Sequence, residues 1–217
     1  INVISSLEKP SGGKVFFQVE RIDQLSPELI FERGISRTFQ EGKIVPGLTV
    51  LENVIIGLFS QRKEKQISKG FFSKLFNRFA QENETKEKGR DLLKKFQLER
   101  LAHRWADDLV WFERQLVQIA RAVASAPKLL LLDEPTAGMD ISEKKMIAKK
   151  LKEINQSGVT MQIISHDMDF IQRIAKHITV LDFGQIISEG LPKKVLSDSI
   201  VWEAYFGTGY QENYFDD

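Results

Sequence analysis

Apolar positions along the chain follow two periods, and the change from one to the other divides it. Ile1, Ile4 and Leu7 recur at helical spacing with no capping residue ahead of them, predicting helical turns that stop at Pro10-Ser11-Gly12-Gly13. Lys14–Val19, with Val15, Phe16 and Phe17, predicts a strand. Ser26-Pro27-Glu28 has the form of a helix start, with Ser26 as cap and Pro27 at the first helical position; that helix ends near Gly34. Ile35–Phe39 predicts a second strand, followed by Gln40 and a loop to Gly47. From about Thr49 to Ala126 the period is helical. Val50, Asn53, Val54 and Gly57 share one side of a helix beginning near Val50, and Leu116, Ile119, Ala120 and Val123 mark another over Glu113–Ala126. Between them, Phe71, Phe72, Leu75, Phe76 and Phe79 form one apolar face ringed by Arg62, Lys63, Lys65, Lys69, Lys74 and Arg78. Such a stripe is the ordinary core-facing kind, with contact to lipid headgroups as the alternative.

The unbroken run Leu129–Leu132 predicts a strand buried on both faces of a parallel sheet. Asp140 and Glu143 have capping-box spacing and open a helix that buries Ile147, Leu151 and Ile154 and closes at Ser157-Gly158. Val159–Ser165 predicts a buried strand ending at His166. A helix at Asp167–Ala175 follows, then strands Ile178–Leu181 and Gln185–Ser188 joined through Asp182-Phe183-Gly184, and short helices at Pro192–Ser197 and Val201–Phe206. The order is α/β, a helical insertion, then α/β again.

Composition narrows the function without naming it. The 217 residues carry a net charge of +1, against the basic excess of a dedicated nucleic-acid binder, so no nucleic-acid partner is expected. No cysteine is present, which excludes disulfides, thiolate metal sites and cysteine catalysis. No apolar run approaches the ~18–20 residues that span a bilayer.

Candidate chemistry collects at strand ends. Gln40, Asp133, Glu134 and His166 each follow a predicted strand, and parallel strands would bring them to one sheet edge, where open α/β sheets bind ligands. Asp is a hard ligand for Mg2+, Gln offers a neutral oxygen to metal or water, Glu can take a proton from an attacking water, and His can donate to a developing phosphate charge.

In these segments the sequence resembles the nucleotide-binding subunits of ABC transporters. Leu129–Pro135 is similar to their Walker B segment, Arg37-Thr38-Phe39-Gln40 to the Q-loop, Ala137-Gly138-Met139-Asp140 to the D-loop and Ser165-His166-Asp167 to the H-loop. Gly34–Gln40, Leu48–Asn53, Gly70-Phe71-Phe72-Ser73, His166-Asp167-Met168 and Ala204-Tyr205-Phe206-Gly207 look most like ATPases of branched-chain amino-acid importers and related urea or amide systems. The resemblance implies a P-loop NTPase-like parallel-sheet core, formed by residues 1–47 and 127–217, with a helical subdomain at 48–126. The part from about Leu48 to Leu109 would dock on membrane permease subunits. It implies ATP and Mg2+ as cofactors, Asp133 and Gln40 at the metal, Glu134 polarising the hydrolytic water, His166 at the γ-phosphate and Asp140 in the loop that communicates across an ATPase dimer. It also implies a peripheral location at the cytoplasmic face of the inner or plasma membrane.

Two departures qualify this. A Gly-rich turn ending in Gly-Lys-Ser/Thr, the Walker A loop that cradles phosphates, is absent from the sequence. Ile1–Ser6 resembles the residues just after it, so the expectation is an N-terminally truncated chain. It would lack that loop, the nucleotide-stacking aromatic and the first strands, through either fragmentation or loss. The second departure is the signature. Val110, Trp111, Phe112 and Glu113 stand where relatives put small residues and Gly facing the partner's nucleotide. Glu113-Arg114-Gln115 fit, but Phe112 should block backbone approach and Val110 lacks a hydroxyl donor. A heterodimer with an intact partner is favoured, and ATPase activity is uncertain for the chain alone. The alternatives are a degenerate interaction module and a soluble ABC ATPase outside transport.

Overall fold

The computed structural model describes residues 1–39, 43–59 and 83–206. They fall into two compact units, Ile1–His166 and Asp167–Asp217. Gln40, the aromatic set Phe71–Phe79 and Gly207 lie outside the described residues.

In the first unit, Ile1–Leu7 forms hydrogen-bonded turns instead of the expected helical turns. Ser5 N donates to the Ile1 carbonyl at 2.9 Å, but Ser6 is left-handed at φ 57° and ends any helix there. The Ser5 hydroxyl supplies a reason: it bonds the Ile1 carbonyl at 3.1 Å and the Asn2 carbonyl at 3.3 Å, competing with continued helix. The expected strand Lys14–Val19 is likewise corrected. The chain folds back as a hairpin of β1 (Phe16–Phe17) and β2 (Glu20–Arg21), with Gln18 and Val19 at φ 47° and 64°. A two-residue turn with both φ positive normally uses Asn-Gly, so Gln-Val gives no turn signal. Asp23 fastens the hairpin. Its carboxylate accepts from Val15 N at 2.9 Å and from Arg21 Nε and Nη2 at 3.0 and 2.9 Å, and these donors lower its pKa to about 2.

Helix α1 (Pro27–Glu32) starts as predicted: the Ser26 side chain accepts from Leu29 N, with Pro27 in the first turn. The central sheet then takes β3 (Ile35–Arg37), β4 (Leu129–Asp133) and β5 (Thr160–Ile164), all parallel, with β4 in the middle. β3 and β5 are slightly shorter than predicted and β4 runs one residue further, to Asp133, while Thr38 N still donates to the Leu131 carbonyl at 2.9 Å past the end of β3. Leu130, Leu131 and Leu132 are wholly buried, and successive side chains point to opposite faces. Leu131 packs with Ile22, Ile30 and Ile35, lined by Ile1, Ile4, Val15 and Phe17. Leu130 and Leu132 face the other way. This two-sided burial explains a strand without polar alternation.

The helical segment comprises α2 (Val50–Phe59), α3 (Asn83–Lys95) and α4 (Trp111–Ala124), with 3-10 turns at Glu99–Leu101 and Ala106–Asp108. Val50, Asn53 and Val54 are completely buried, as their spacing predicts. A Cβ placed on Gly57 would lie 2.1 Å from the Arg121 carbonyl oxygen, so α2 and α4 meet backbone to backbone there. Helix α5 (Ile141–Gln156) carries the predicted capping box: Asp140 accepts from Glu143 N at 2.9 Å, and Glu143 Oε2 accepts from Asp140 N at 3.1 Å. Ile147 and Leu151 are fully buried along it.

The second unit begins with α6 (Met168–Ile174), capped by Asp167, which accepts from Phe170 N at 2.9 Å. Strands β6 (Ile178–Asp182) and β7 (Gln185–Gly190) form an antiparallel hairpin through Phe183 and Gly184, at φ 44° and 80°. Helices α7 (Pro192–Leu196) and α8 (Ser199–Phe206) follow. Among the described residues no helix is long and apolar enough to cross a membrane.

Candidate functional site

The end of β4 brings three of the four predicted strand-end residues together. Asp133 pairs in register with Ile164, and Glu134 N donates to the Ile164 carbonyl at 2.9 Å, extending the ladder past the strand. Glu134 then turns left-handed at φ 46°. For a non-glycine residue that conformation costs about 1 kcal/mol or more and persists where the surroundings fix it. Here they do. Its Oε1 accepts from His166 N at 3.1 Å and lies 2.8 Å from His166 Nδ1, while Ser165 Oγ reaches Oε2 at 3.4 Å. An ionised carboxylate only accepts, so the tautomer with its proton on Nδ1 satisfies this contact. The Glu134 side chain is 14% exposed against 74% for His166. A mostly sheltered carboxylate is therefore held from one side by a histidine open to solvent.

Asp133 is held differently. Its Oδ2 is 3.7 Å from Arg37 Nη2, an ion pair beyond hydrogen-bond range. Burial lowers the pKa of Arg37, with Asp133 acting in the opposite direction. Among the described residues no group of three or more His, Cys, Asp or Glu could cage a metal. One hard carboxylate oxygen at a strand end still fits Mg2+, which binds through one or two carboxylates and completes its shell with phosphates and water.

Asp140, expected in the dimer-communicating loop, spends its carboxylate on the α5 cap and on Ser142 Oγ at 2.7 Å. The Ser142 hydroxyl and the Glu143 amide lower its pKa.

The signature region sits at the start of α4. Val110 occupies the N-cap position without a side-chain cap, and it and Trp111 are exposed. Phe112 and Glu113 are half-buried. Trp111 is engaged with the turn that follows Glu134: its Nε1 donates to the Ala137 carbonyl at 2.8 Å, and it faces the open side of Gly138, which is left-handed at φ 72°.

Further along α4, Gln115, read only as part of the signature pattern, and Gln118, which the sequence reading missed, hold backbone near the site. Gln115 and Gln118 are buried, with Gln115 Nε2 reaching the Pro135 carbonyl at 3.5 Å and Gln118 Nε2 the Phe39 carbonyl at 2.8 Å. One turn on, Arg121 Nη2 donates to the Lys43 carbonyl at 2.5 Å. The helix is buried nearly all round from Gln115 to Ala120, and the absence of charge in that stretch was the available signal.

The comparisons with known proteins agree with this arrangement. A family model described as ABC transporter matches residues 1–137. The chain belongs to the ABC transporter ATP-binding family. A curated relative, the probable branched-chain amino acid transport ATP-binding protein LivG of Methanocaldococcus jannaschii, is 35% identical over 211 residues, covering 95% of this chain and 80% of the relative. A crystal structure of a nucleotide-free ATP-binding cassette from an ABC transporter superposes with a TM-score of 0.77 at 33% identity, covering 95% of this chain and 81% of that one. A dimeric cassette in a post-hydrolysis state, bound to ADP and phosphate, gives a TM-score of 0.72 at 28% identity, covering 88% and 78%. The ABC ATPase fold expected from the sequence is thereby established.

Proposed function

We propose that this chain is the ATP-binding subunit of an ABC importer for branched-chain amino acids or a related small polar substrate, and that it works as one half of an ATPase dimer. Glu134, held by His166 at the end of the buried β4 strand, carries the reading: a sheltered, oriented carboxylate is what proton removal from water requires. The ABC family match, the named function of the LivG relative and the dimeric ADP-bound cassette support it.

In this scheme Asp133, with Gln40, holds Mg2+. The ion would neutralise charge on the phosphates of ATP. Glu134 accepts the proton of the attacking water, and His166 fixes the Glu134 carboxylate and stands beside the γ-phosphate. Asp140 keeps the loop after β4 in place for the partner through its cap on α5. Residues 1–47 and 127–217 form the ATPase core. Residues 48–126 form the helical subdomain, whose α2 and α3 dock on permease subunits at the cytoplasmic face of the membrane.

The second subunit is a different chain. Phe112 places a ring where the backbone would approach the partner's γ-phosphate, so the composite site that uses this chain's Val110–Glu113 is degenerate. The other composite site uses Asp133, Glu134 and His166 together with the partner's intact signature. A second reading, a docking module without catalysis, is favoured by the same Val110-Trp111-Phe112 substitution.

Co-expression with an importer permease and a second ATPase subunit tests both. The importer reading expects co-purification and ATP hydrolysis that depends on Glu134. Co-purification without Glu134-dependent hydrolysis selects the docking module, and failure to co-purify overturns both.

A further inference from the structure

Arg37 stands beside the acid assigned to the metal yet has no part in the chemistry above. Its guanidinium is held on several sides. Nη1 donates to Asn2 Oδ1 at 3.0 Å and to Ser5 Oγ at 2.8 Å, and Nε donates to the Thr38 carbonyl at 3.4 Å. The guanidinium carbon lies 4.6 Å from the centre of the Phe39 ring. The side chain is 11% exposed, against 27% for Asp133. An arginine cannot shed its proton in a protein, so this is a fixed positive charge. At 3.7 Å it balances the Asp133 carboxylate without the short hydrogen bonds that would occupy its oxygens. The lone pairs of Asp133 therefore remain available to another ligand while its charge is already compensated.

We propose that Arg37 is a built-in counter-cation of Asp133: it steadies the carboxylate in the metal-free chain, opposes the arrival of a divalent cation, and so sets the metal affinity of the site. The inference rests on the assignment of Asp133 to the metal. A divalent ion on the Asp133 oxygens would sit a few ångströms from the anchored guanidinium. Repulsion at that range in a partly exposed site corresponds to roughly a tenfold weakening of binding. The anchors matter because they keep the charge from retreating. Asn2 and Ser5 belong to the N-terminal turns, and Phe39 immediately precedes Gln40. Arg37 is thus a positioning residue that ties those turns, the end of β3 and the acidic end of β4 into one electrostatic group.

Mn2+ alone, titrated into the full chain with unbound Mn2+ quantified by electron paramagnetic resonance, tests the proposal. Arg37→Gln should bind Mn2+ about tenfold more tightly than the unchanged chain. Arg37→Lys keeps the charge but loses the forked anchors and the stack on Phe39, so its Mn2+ affinity should fall between those of the unchanged chain and Arg37→Gln. Asp133→Asn should lose the binding. If Asp133→Asn binds as before, the assignment of Asp133 fails and this inference with it. If Asp133→Asn loses binding while Arg37→Gln is no tighter than the unchanged chain, the assignment stands and the role of Arg37 is overturned. Should Arg37→Gln not fold, Asn2→Ala combined with Ser5→Ala decides the matter. Freed of those anchors, the guanidinium can retreat from an arriving cation, and Mn2+ should bind several-fold more tightly; unchanged or weaker binding contradicts the proposal.

Discussion

The acidic end of β4 and the leading end of α4, the two regions proposed to meet a triphosphate, are built in opposite ways. At β4 each reactive side chain has a defined mate: Glu134 has His166 and Ser165, and Asp133 has Arg37. At α4 the helix starts at Val110, which provides no side-chain cap, followed by a tryptophan turned toward its own chain's Ala137 and the half-buried Phe112. One region is preorganised for chemistry. The other is preorganised for contact within its own subunit. In the proposed dimer the two composite sites would therefore be unequal, with function concentrated where another subunit completes the acidic edge.

The comparison can be broken most severely at Glu134. In an assembled transporter ATPase, Glu134→Gln should reduce ATP hydrolysis about a thousandfold, since a lost general base typically removes 10²–10⁴ in rate. Phosphate release measured on matched assemblies checks this, and a loss below tenfold would remove the contrast.

A repair of the weaker region comes next. Val110→Ser together with Phe112→Gly should tighten ATP-dependent association with the second subunit by about tenfold or more, because hydrogen bonds to charged groups contribute about 1.5–3 kcal/mol. Analytical ultracentrifugation with and without ATP reads it, and unchanged association would mean that the ring at Phe112 is not the obstacle.

Trp111→Phe removes the hydrogen bond to Ala137 but retains an aromatic ring. It should lower unfolding stability in urea by about 1 kcal/mol, the usual net value of such a bond. Faster amide exchange at Ala137 and Met139, with the β4 amides unaffected, would localise the effect.

The smallest effect lies away from both regions and serves as their reference. The folded-state pKa of Asp23, about 2, is depressed below its ordinary value of 3.8. Its contribution is therefore fully present above about pH 4 and fades as pH falls through 2. Asp23→Asn should lose that acid-sensitive part of the stability curve between pH 4 and 2, seen in urea melts as a flatter pH profile, without changing the Glu134-dependent rate.

Much of this was legible because local chemistry and global fold agree. Leu129–Leu132 reads as a doubly buried strand, Ser26-Pro27 as a helix start and Asp140 with Glu143 as a capping box, and each forms as read. The juxtaposition of Glu134 with His166 follows from parallel strands ending together, a rule independent of the particular side chains. What escaped depends on tertiary context. Gln18-Val19 turns without turn residues because Asp23 ties both sides of the hairpin. Arg37 appears in the sequence as one letter of a motif, and its tie to Asp133 arises only when β3 lies beside β4. Gln115 and Gln118 look like surface polar residues until the carbonyls they reach are brought to them across the fold.

The close approach at Gly57 has a mechanical meaning for such a subunit. Side chains between two helices act as a compressible spacer, because rotamer changes can absorb a small displacement. Where α2 lies directly on the Arg121 carbonyl, that spacer is missing. A push delivered to α2 then passes to α4 with little lost on the way. One end of α4 carries Trp111, braced against the turn behind Glu134, and further along it Gln118 grips the residue before Gln40. A joint without slack turns two helices into a single lever between the proposed docking surface and the acids.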